Sequence, residues 1–266
     1  MQTYYLIIVF IYGLLLGSFY NVVGYRIPNN LSIIKPGSFC PKCKHRLKWY
    51  ELIPVISFLI QSGKCRKCKC KISLFYPLIE LLTGILFALS YHIFGFSMEF
   101  LIAILIASFL VIVIVSDFNY LIIPDEVTIT FSILSVLVQL IMNFNIGITS
   151  IIYGIFLFLL MFIIMIIGNK IFKEESLGGG DVKLMFFVGT VLNVTNPIIL
   201  SDLTTLTNLM NGFFEIFLSS CLASPFALFS FFSKKDRVIP FGPFILLAAL
   251  IMFLTSFNTI SFLRII

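Results

Sequence analysis

AILIASFLVIVIVSDFNYLIIPD, residues 103–125, runs without a charge as far as Ser116 and then meets the carboxylate of Asp117. A second such carboxylate, Asp181, follows Gly178-Gly179-Gly180 and opens onto another apolar run. On insertion scales a carboxylate at the centre of a membrane helix costs about 2.5–3.5 kcal/mol, and part of that cost remains near the edge. Two such costs in one chain point to a pair that does chemistry at the membrane margin. Pro124 stops a helix from continuing out of Asp117 to Asp125, so this stretch is expected to be a re-entrant turn feeding the next span.

The rest of the chain supports a membrane setting. Of its 266 residues, 60% are hydrophobic and 11% are charged, whereas a soluble domain is about a quarter charged. A spanning helix needs about 20 largely apolar residues. Runs of that kind lie near 3–23, 75–94, 98–116, 127–145, 149–170, 184–200, 212–232 and 241–260. They do not alternate polar with apolar residues, as barrel strands would. The expectation is therefore an all-α polytopic membrane protein with about eight transmembrane helices. The first run lacks a basic flank and a small-residue cleavage site and is expected to be a retained helix. Segment 201–211 reads as a loop on the outer side. No internal repeat or low-complexity tract is evident.

Charge placement sets the expected orientation. Eleven of the 18 Lys and Arg residues fall between Arg26 and Lys71, three at Lys170, Lys173 and Lys183, and three at Lys234, Lys235 and Arg237. With eight spans these clusters share one side, which the positive-inside rule makes cytoplasmic, with both termini outside. The same count puts Asp117 and Asp181 on that side. The basic excess thus reports topology, with attraction to anionic lipid as a secondary effect. It gives no reason to expect nucleic acid as a partner.

Three regions follow: a first helix (1–23), a polar Cys-rich loop (24–74) and a seven-helix membrane domain (75–266). The loop is too small to fold on an apolar core alone. Its short apolar stretch 52–60 is expected at the interface or packed on the bundle. Cys40-Pro-Lys-Cys43 and Cys65-Arg-Lys-Cys68 form two C-x-x-C pairs separated by 21 residues. Close pairs let two thiolates of one turn bind one ion, and two pairs complete a tetrahedron. Zn2+ is the expected ion, stapling a small cytoplasmic domain, with Cys40, Cys43, Cys65 and Cys68 as ligands. Cys70 and His45 are substitute ligands. A disulfide staple is the competing reading, and a reducing cytoplasm disfavours it.

Paired carboxylates that share a proton can hydrolyse an amide. The ionised member takes a proton from water while the protonated member polarises the carbonyl. Gly178, Gly179 and Gly180 are expected to give a tight backbone path that admits an extended substrate strand. Asp125, with Glu126, reads as a cap on the span that follows. Asp117 has a structural alternative as a cap or as a partner of Lys183.

Taken in order, the motifs resemble those of the bacterial type IV prepilin peptidases, membrane aspartic proteases of the leader peptidase/N-methyltransferase kind. The resemblance rests on Gly17-Ser18-Phe19-Tyr20-Asn21 through Arg26-Ile27-Pro28, the two C-x-x-C pairs and Tyr76-Pro77-Leu78-Ile79-Glu80. It continues through Asp117 to Pro124-Asp125, Gly178-Gly179-Gly180-Asp181, and Pro240-Phe241-Gly242-Pro243-Phe244. The resemblance implies Asp117 and Asp181 as the catalytic pair, with Gly178, Gly180 and Asp125 supporting them. It implies cleavage of prepilins or pseudopilins after a glycine at the cytoplasmic face of the bacterial inner membrane. It also implies methylation of the new N-terminus by S-adenosylmethionine, with Gly63 and Lys64 at positions tied to that step.

Two other enzyme readings are a peptidase-only Gly-x-Gly-Asp protease, archaeal preflagellin peptidase or presenilin-like, and the paired cysteines speak against both. A proton-coupled transporter would also use buried acids, but nearer mid-bilayer and in half-helix repeats. A zinc-stapled scaffold without catalysis is the remaining class.

Overall fold

The computed structural model describes residues 2–173, 177–195, 202–232 and 239–256. Its helices are α1 (Gln2–Arg26), α2 (Ile56–Ile60), α3 (Phe75–Phe94), α4 (Met98–Tyr120), α5 (Asp125–Met142), α6 (Phe144–Phe172), α7 (Gly179–Thr195), α8 (Asp202–Phe232) and α9 (Gly242–Leu254). Among the described residues there is no strand, only two isolated antiparallel bridges. The chain is an all-α polytopic membrane protein.

Among the described residues six helices, α1, α3, α4, α5, α6 and part of α8, have the length and apolarity to cross a bilayer. The other two of the roughly eight expected runs fall on α7 and α9, each closely followed by residues outside the described ones. Helix α7 has 17 described residues and α9 has 13, short of the roughly 20 that a full crossing takes. Helix α7 also begins at Gly179, five positions before the run expected at 184, and 196–200 lie outside the described residues. The loop expected at 201–211 is instead the start of α8, which begins at Asp202. No Gly or Pro interrupts 202–211, so its polar composition does not break a helix.

The described chain forms two compact units, Met1–Gly95 and Phe96–Ile266. In the first, α1 lies against α3. A methyl group at Gly13 would stand 2.7 Å from the Gly84 Cα, so small residues let the two backbones approach. Asn21 of α1 donates its Nδ2 to the Tyr76 carbonyl at 3.3 Å. Between these helices, α2 exposes Ile56, Leu59 and Ile60, which suits the interfacial position expected for 52–60.

In the second unit α4 is the core helix. Ile102, Ala103, Ile106, Ala107, Phe109, Val111 and Val113 are fully enclosed. Phe109 stacks on Phe131 of α5 at 5.1 Å and meets Phe187 of α7 edge-on at 4.9 Å. Lipid tails supply no hydrophobic drive between helices, so close packing and interhelical hydrogen bonds set the arrangement. The Ser135 and Thr190 hydroxyls are 2.6 Å apart, and Gln139 donates to the Thr190 carbonyl at 3.0 Å. Asn193 donates to the Ile146 carbonyl at 3.3 Å. These bonds tie α5, α6 and α7 together. Helices α6 and α7 also touch backbone to backbone, since a methyl at Gly189 would lie 2.7 Å from the Gly154 Cα.

Gly189→Val therefore forces α7 away from α6. The expected cost is about 1–3 kcal/mol from overpacking, read as a lower melting temperature in detergent, with loss of any activity that needs Asp181.

Candidate active site and cysteine centre

Asp117 lies in the last turn of α4, and Asp181 in the first turn of α7. Both are buried, with relative exposures of 5% and 9%. The Asp117 charge acts on Asp181, and the Gly178 amide faces the Asp181 carboxylate. The Gly242 amide, at the start of α9, faces Asp117. Two helix N-termini, those of α7 and α9, thus present unsatisfied N–H groups to the pair, a setting that favours negative charge. Asp117 Oδ2 and Asp181 Oδ1 are buried without a hydrogen-bond partner among the described residues. Each is an acceptor that water or a substrate amide can use.

The turn after Asp117 is tight. Leu121 sits at φ 55°, ψ 39°, and its amide donates to the Asp117 carbonyl at 2.9 Å. A left-handed conformation costs a non-glycine residue roughly 1–2 kcal/mol, and strain of this kind gathers at functional sites. Pro124 then leads into α5, as its position in the sequence suggests.

Asp125 opens α5 and receives Lys183 Nζ on both oxygens, at 2.8 and 2.7 Å. The alternative pairing of Lys183 with Asp117 is therefore not what forms. Among the described residues no cation pairs with Asp117. The Asp125–Lys183 bridge is half-exposed on both sides, so it is worth about 0–1 kcal/mol and acts mainly as a tether between α5 and α7. Gly179 and Gly180 form the first turn of α7, and Gly178 precedes it with its amide on Asp181.

In the first unit the two C-x-x-C pairs build matching hairpins. The Cys40 amide donates to the His45 carbonyl and the Lys44 amide returns to Cys40, both at 2.9 Å. The Cys65 amide donates to Cys70 and Lys69 returns to Cys65 at the same 2.9 Å. Lys44 and Lys69 occupy the same place in each turn, at φ 57° and 59°. The bridges Phe39–Arg46 and Lys64–Lys71 close the two hairpins. This is a structural repeat that the sequence shows only as Cys-x-x-Cys-Lys.

The Sγ atoms of Cys40, Cys43, Cys65 and Cys68 all lie within 4.8 Å of one another. Cys40 to Cys68 is 3.8 Å and Cys43 to Cys65 is 3.9 Å. A tetrahedron of thiolates with metal–sulfur bonds of about 2.3 Å has edges of about 3.8 Å, so the four sulfurs fit one ion. Cys70 stands beside them, 3.6 Å from Cys40. The Cys43 amide holds the Cys40 thiol down at about 6 against burial. Cys43 is pulled down by the His45 amide, yet burial and its bonds with Cys68, Cys40 and Cys65 push it up to about 11. Its bonds with Cys68 and Cys40, together with burial, push Cys70 up to about 12. A cluster in which some thiols ionise readily and others resist needs a cation before all its ligands can be thiolates.

Three buried glutamates have no role assigned from the sequence. Glu51 is buried and accepts the Lys48 amide at 2.9 Å, with His45 Nε2 at 3.2 Å and Arg66 at 4.0 Å. The Lys48 amide, then His45, hold its carboxyl below the ordinary glutamate value. Because His45 and Arg66 come from different hairpins, Glu51 joins them. Glu80 of α3 accepts the Val55 amide at 2.7 Å and holds Val55 at φ 60°, ψ −51°. Glu215 of α8 is fully buried, with neither oxygen partnered among the described residues. Nothing in local sequence marks Glu51 or Glu215, since their settings are made by distant segments.

Gly63 and Lys64 lie at the base of the second hairpin. Gly63 has φ 65°, and a methyl there would stand 2.9 Å from the Phe58 ring. Its amide donates to the Phe58 carbonyl at 2.9 Å. Turn geometry and Phe58 packing account for that glycine without a ligand.

Known proteins match along most of the chain. The bacterial peptidase A24 N-terminal domain matches residues 11–94, and the type IV leader peptidase family matches residues 104–265. A prepilin leader peptidase/N-methyltransferase of Bacillus subtilis (strain 168) is 36% identical over 96% of both chains. Its namesake in Vibrio cholerae is 31% identical over 95% of this chain and 98% of its own. The Myxococcus xanthus protein of the same name is 37% identical over 70% of this chain and 56% of its own. No solved structure matches.

Elemental analysis tests the cysteine centre. Cys65→Ser is expected to lose bound metal, whereas Cys70→Ser keeps it. Metal retention should fall as pH is lowered, because each ligating thiol must give up a proton. Equal retention by both variants would contradict the assignment of ligands.

Proposed function

The chain belongs to the type IV leader peptidase family and is an enzyme of prepilin processing, and on that premise we propose that Asp117 and Asp181 are its hydrolytic pair. The observation that carries this reading is that two buried carboxylates at the ends of α4 and α7 lie near enough for one charge to act on the other, each with an oxygen unpartnered among the described residues. One carboxylate, ionised, takes a proton from water as the water oxygen adds to the scissile carbonyl carbon. The other, protonated, donates to the carbonyl oxygen. The pair then passes its proton to the amide nitrogen, the C–N bond breaks as C=O re-forms, and a hydroxyl proton of the tetrahedral intermediate returns to the pair as its single shared proton. The pair titrates as a unit, so neither member is given a fixed role. The N-termini of α7 and α9 offset the negative charge that the pair must carry. Gly178, Gly180 and Asp125 act as support, Asp125 through its tether to Lys183.

The substrate is a prepilin or pseudopilin whose apolar helix lies in the bilayer and whose basic leader stays in the cytoplasm. The cut follows a glycine. The positive-inside rule supports a cytoplasmic site in a bacterial inner membrane, with the Cys-rich loop on the same side. The division into a first helix (1–23), a cytoplasmic loop domain (24–74) and a peptidase membrane domain (75–266) belongs to the same reading.

Zn2+ is the proposed ion of the cysteine centre, held by Cys40, Cys43, Cys65 and Cys68, and its task is structural. The N-methyltransferase in the relatives' names supports methylation of the new N-terminus, with S-adenosylmethionine supplying the methyl group. Phe58 packs against Gly63, where an added methyl would stand 2.9 Å from the ring, and no transfer step is derived from Gly63 or Lys64.

Asp117→Asn or Asp181→Asn is expected to lower leader removal by at least about 100-fold, the lower range for a lost acid–base group. Mass spectrometry of a prepilin peptide treated with purified enzyme reads this directly, and near-normal cleavage by either variant would overturn the pair. Cys40→Ser is expected to reduce methylation more than cleavage, measured in the same spectra.

A further inference from the structure

We infer that Ile123, in the turn between α4 and α5, is a positioning residue that sets the spacing of the two carboxylates. The inference rests on the catalytic pair proposed above and concerns how that pair is held.

The two acids sit on different helices, and among the described residues neither is fixed by an ion pair. Asp117 lies in the last turn of α4, which meets the start of α9 at Gly242. Asp181 follows the start of α7, one residue after Gly180. Both glycines face the same side chain. A methyl built at Gly242 would stand 2.6 Å from Ile123 Cδ1, and 3.3 Å from Asp117 Oδ2. A methyl built at Gly180 would stand 3.1 Å from Ile123 Cβ. Ile123 is thus a wedge with its tip on the residue that touches Asp117 and its base on the residue that precedes Asp181.

The wedge is firmly mounted. Ile123 is followed by buried Pro124, and the strained Leu121 turn precedes it. Being β-branched, Ile123 has little freedom at χ1. A side chain held at χ1 on a constrained turn can set the spacing between α7 and the start of α9 more closely than a lysine bridge between half-exposed groups. Catalysis by a carboxylate pair depends on that distance, because a misplacement of about 1 Å can cost about 100-fold in rate.

The contacts make an unequal pair of predictions for one substitution. Ile123→Val removes Cδ1 and keeps Cβ. In Gly242→Ala the added methyl would stand 2.6 Å from Cδ1, its tightest contact, ahead of Val113 Cγ1 at 3.1 Å and Asp117 Oδ2 at 3.3 Å, so kcat for leader removal should fall by up to about 100-fold. Adding Ile123→Val to Gly242→Ala should bring kcat back to within about tenfold of the unaltered enzyme, as expected for two side chains in direct contact. Gly180→Ala collides with Cβ, and the same Ile123→Val should leave it unrescued. Ile123→Ala opens space instead of creating a clash. It should lower kcat with little change in KM, because the wedge acts on the acids rather than on substrate.

These variants are to be assayed as the full chain in detergent, each with its melting temperature and with Asp117→Asn in parallel. Rescue of Gly242→Ala but not of Gly180→Ala, with Ile123→Ala acting on kcat, supports the wedge. Full activity of Gly242→Ala, equal rescue of both glycine variants, or an Ile123→Ala effect confined to KM would overturn it. If Gly242→Ala does not fold, rescue of both folding and kcat by Ile123→Val still supports the contact, and its absence overturns it. If Asp117→Asn cleaves normally, the catalytic pair itself is wrong. If Asp117→Asn is inactive while the Ile123 variants behave as the unaltered enzyme, only the wedge fails.

Discussion

Two carboxylates brought together inside a nearly uncharged helix bundle form the constraint on which the second unit is built. Each would be costly alone in such a setting, and their mutual repulsion adds to the cost unless a proton is shared. The bundle meets this by placing helix ends at the pair. Asp181 opens α7, α9 begins beside Asp117, and the Gly178 and Gly242 amides face the acids. Packing makes that arrangement possible. Helix α4 is largely enclosed from Ile102 to Asp117 by the helices around it, and the Gly154–Gly189 approach lets α7 lie close to α6. Function here needs rigid placement at helix termini, where backbone N–H groups are free to act.

The first unit solves a different problem. Its polar loop lacks an apolar core of any size, and it folds around four sulfurs instead. Two hairpins with the same hydrogen bonds and the same left-handed lysines present the thiols in pairs. Glu51 joins them through His45 and Arg66, and the Arg66 guanidinium lies 4.9 Å from the Tyr50 ring. A metal held by all four thiolates would turn this polar frame into a folded domain. Cys70 is the odd member: it lies close enough to compete, and its hairpin position is that of His45 in the other half.

Much of this is legible in the sequence, for identifiable reasons. Long apolar runs mark helices because the bilayer demands them, and the two aspartates stand out against that background. The C-x-x-C pairs predict the sulfur cluster because ligand spacing is local. What the sequence hides is whatever depends on distant segments meeting. Residues 202–211 look like a loop by composition, yet nothing in them breaks a helix. Gly179 and Gly180 read as a tight backbone path, but that they begin α7 next to Ile123 depends on a distant turn. Lys183 stands two residues from Asp181 and could have paired with Asp117, but the fold gives it Asp125. Glu51 and Glu215 carry no signature at all, because burial rather than motif makes them unusual.

The meeting of residues 117 and 181 can be tested without any assay of activity. In native membranes, a chain carrying Asp117→Cys and Asp181→Cys should form a disulfide on mild oxidation, seen as two fragments that stay joined after proteolysis between α4 and α7 until reductant is added. Fragments that separate without reductant, while a Ser135→Cys and Thr190→Cys pair in the same unit cross-links under the same conditions, would show that the two acids do not share a site.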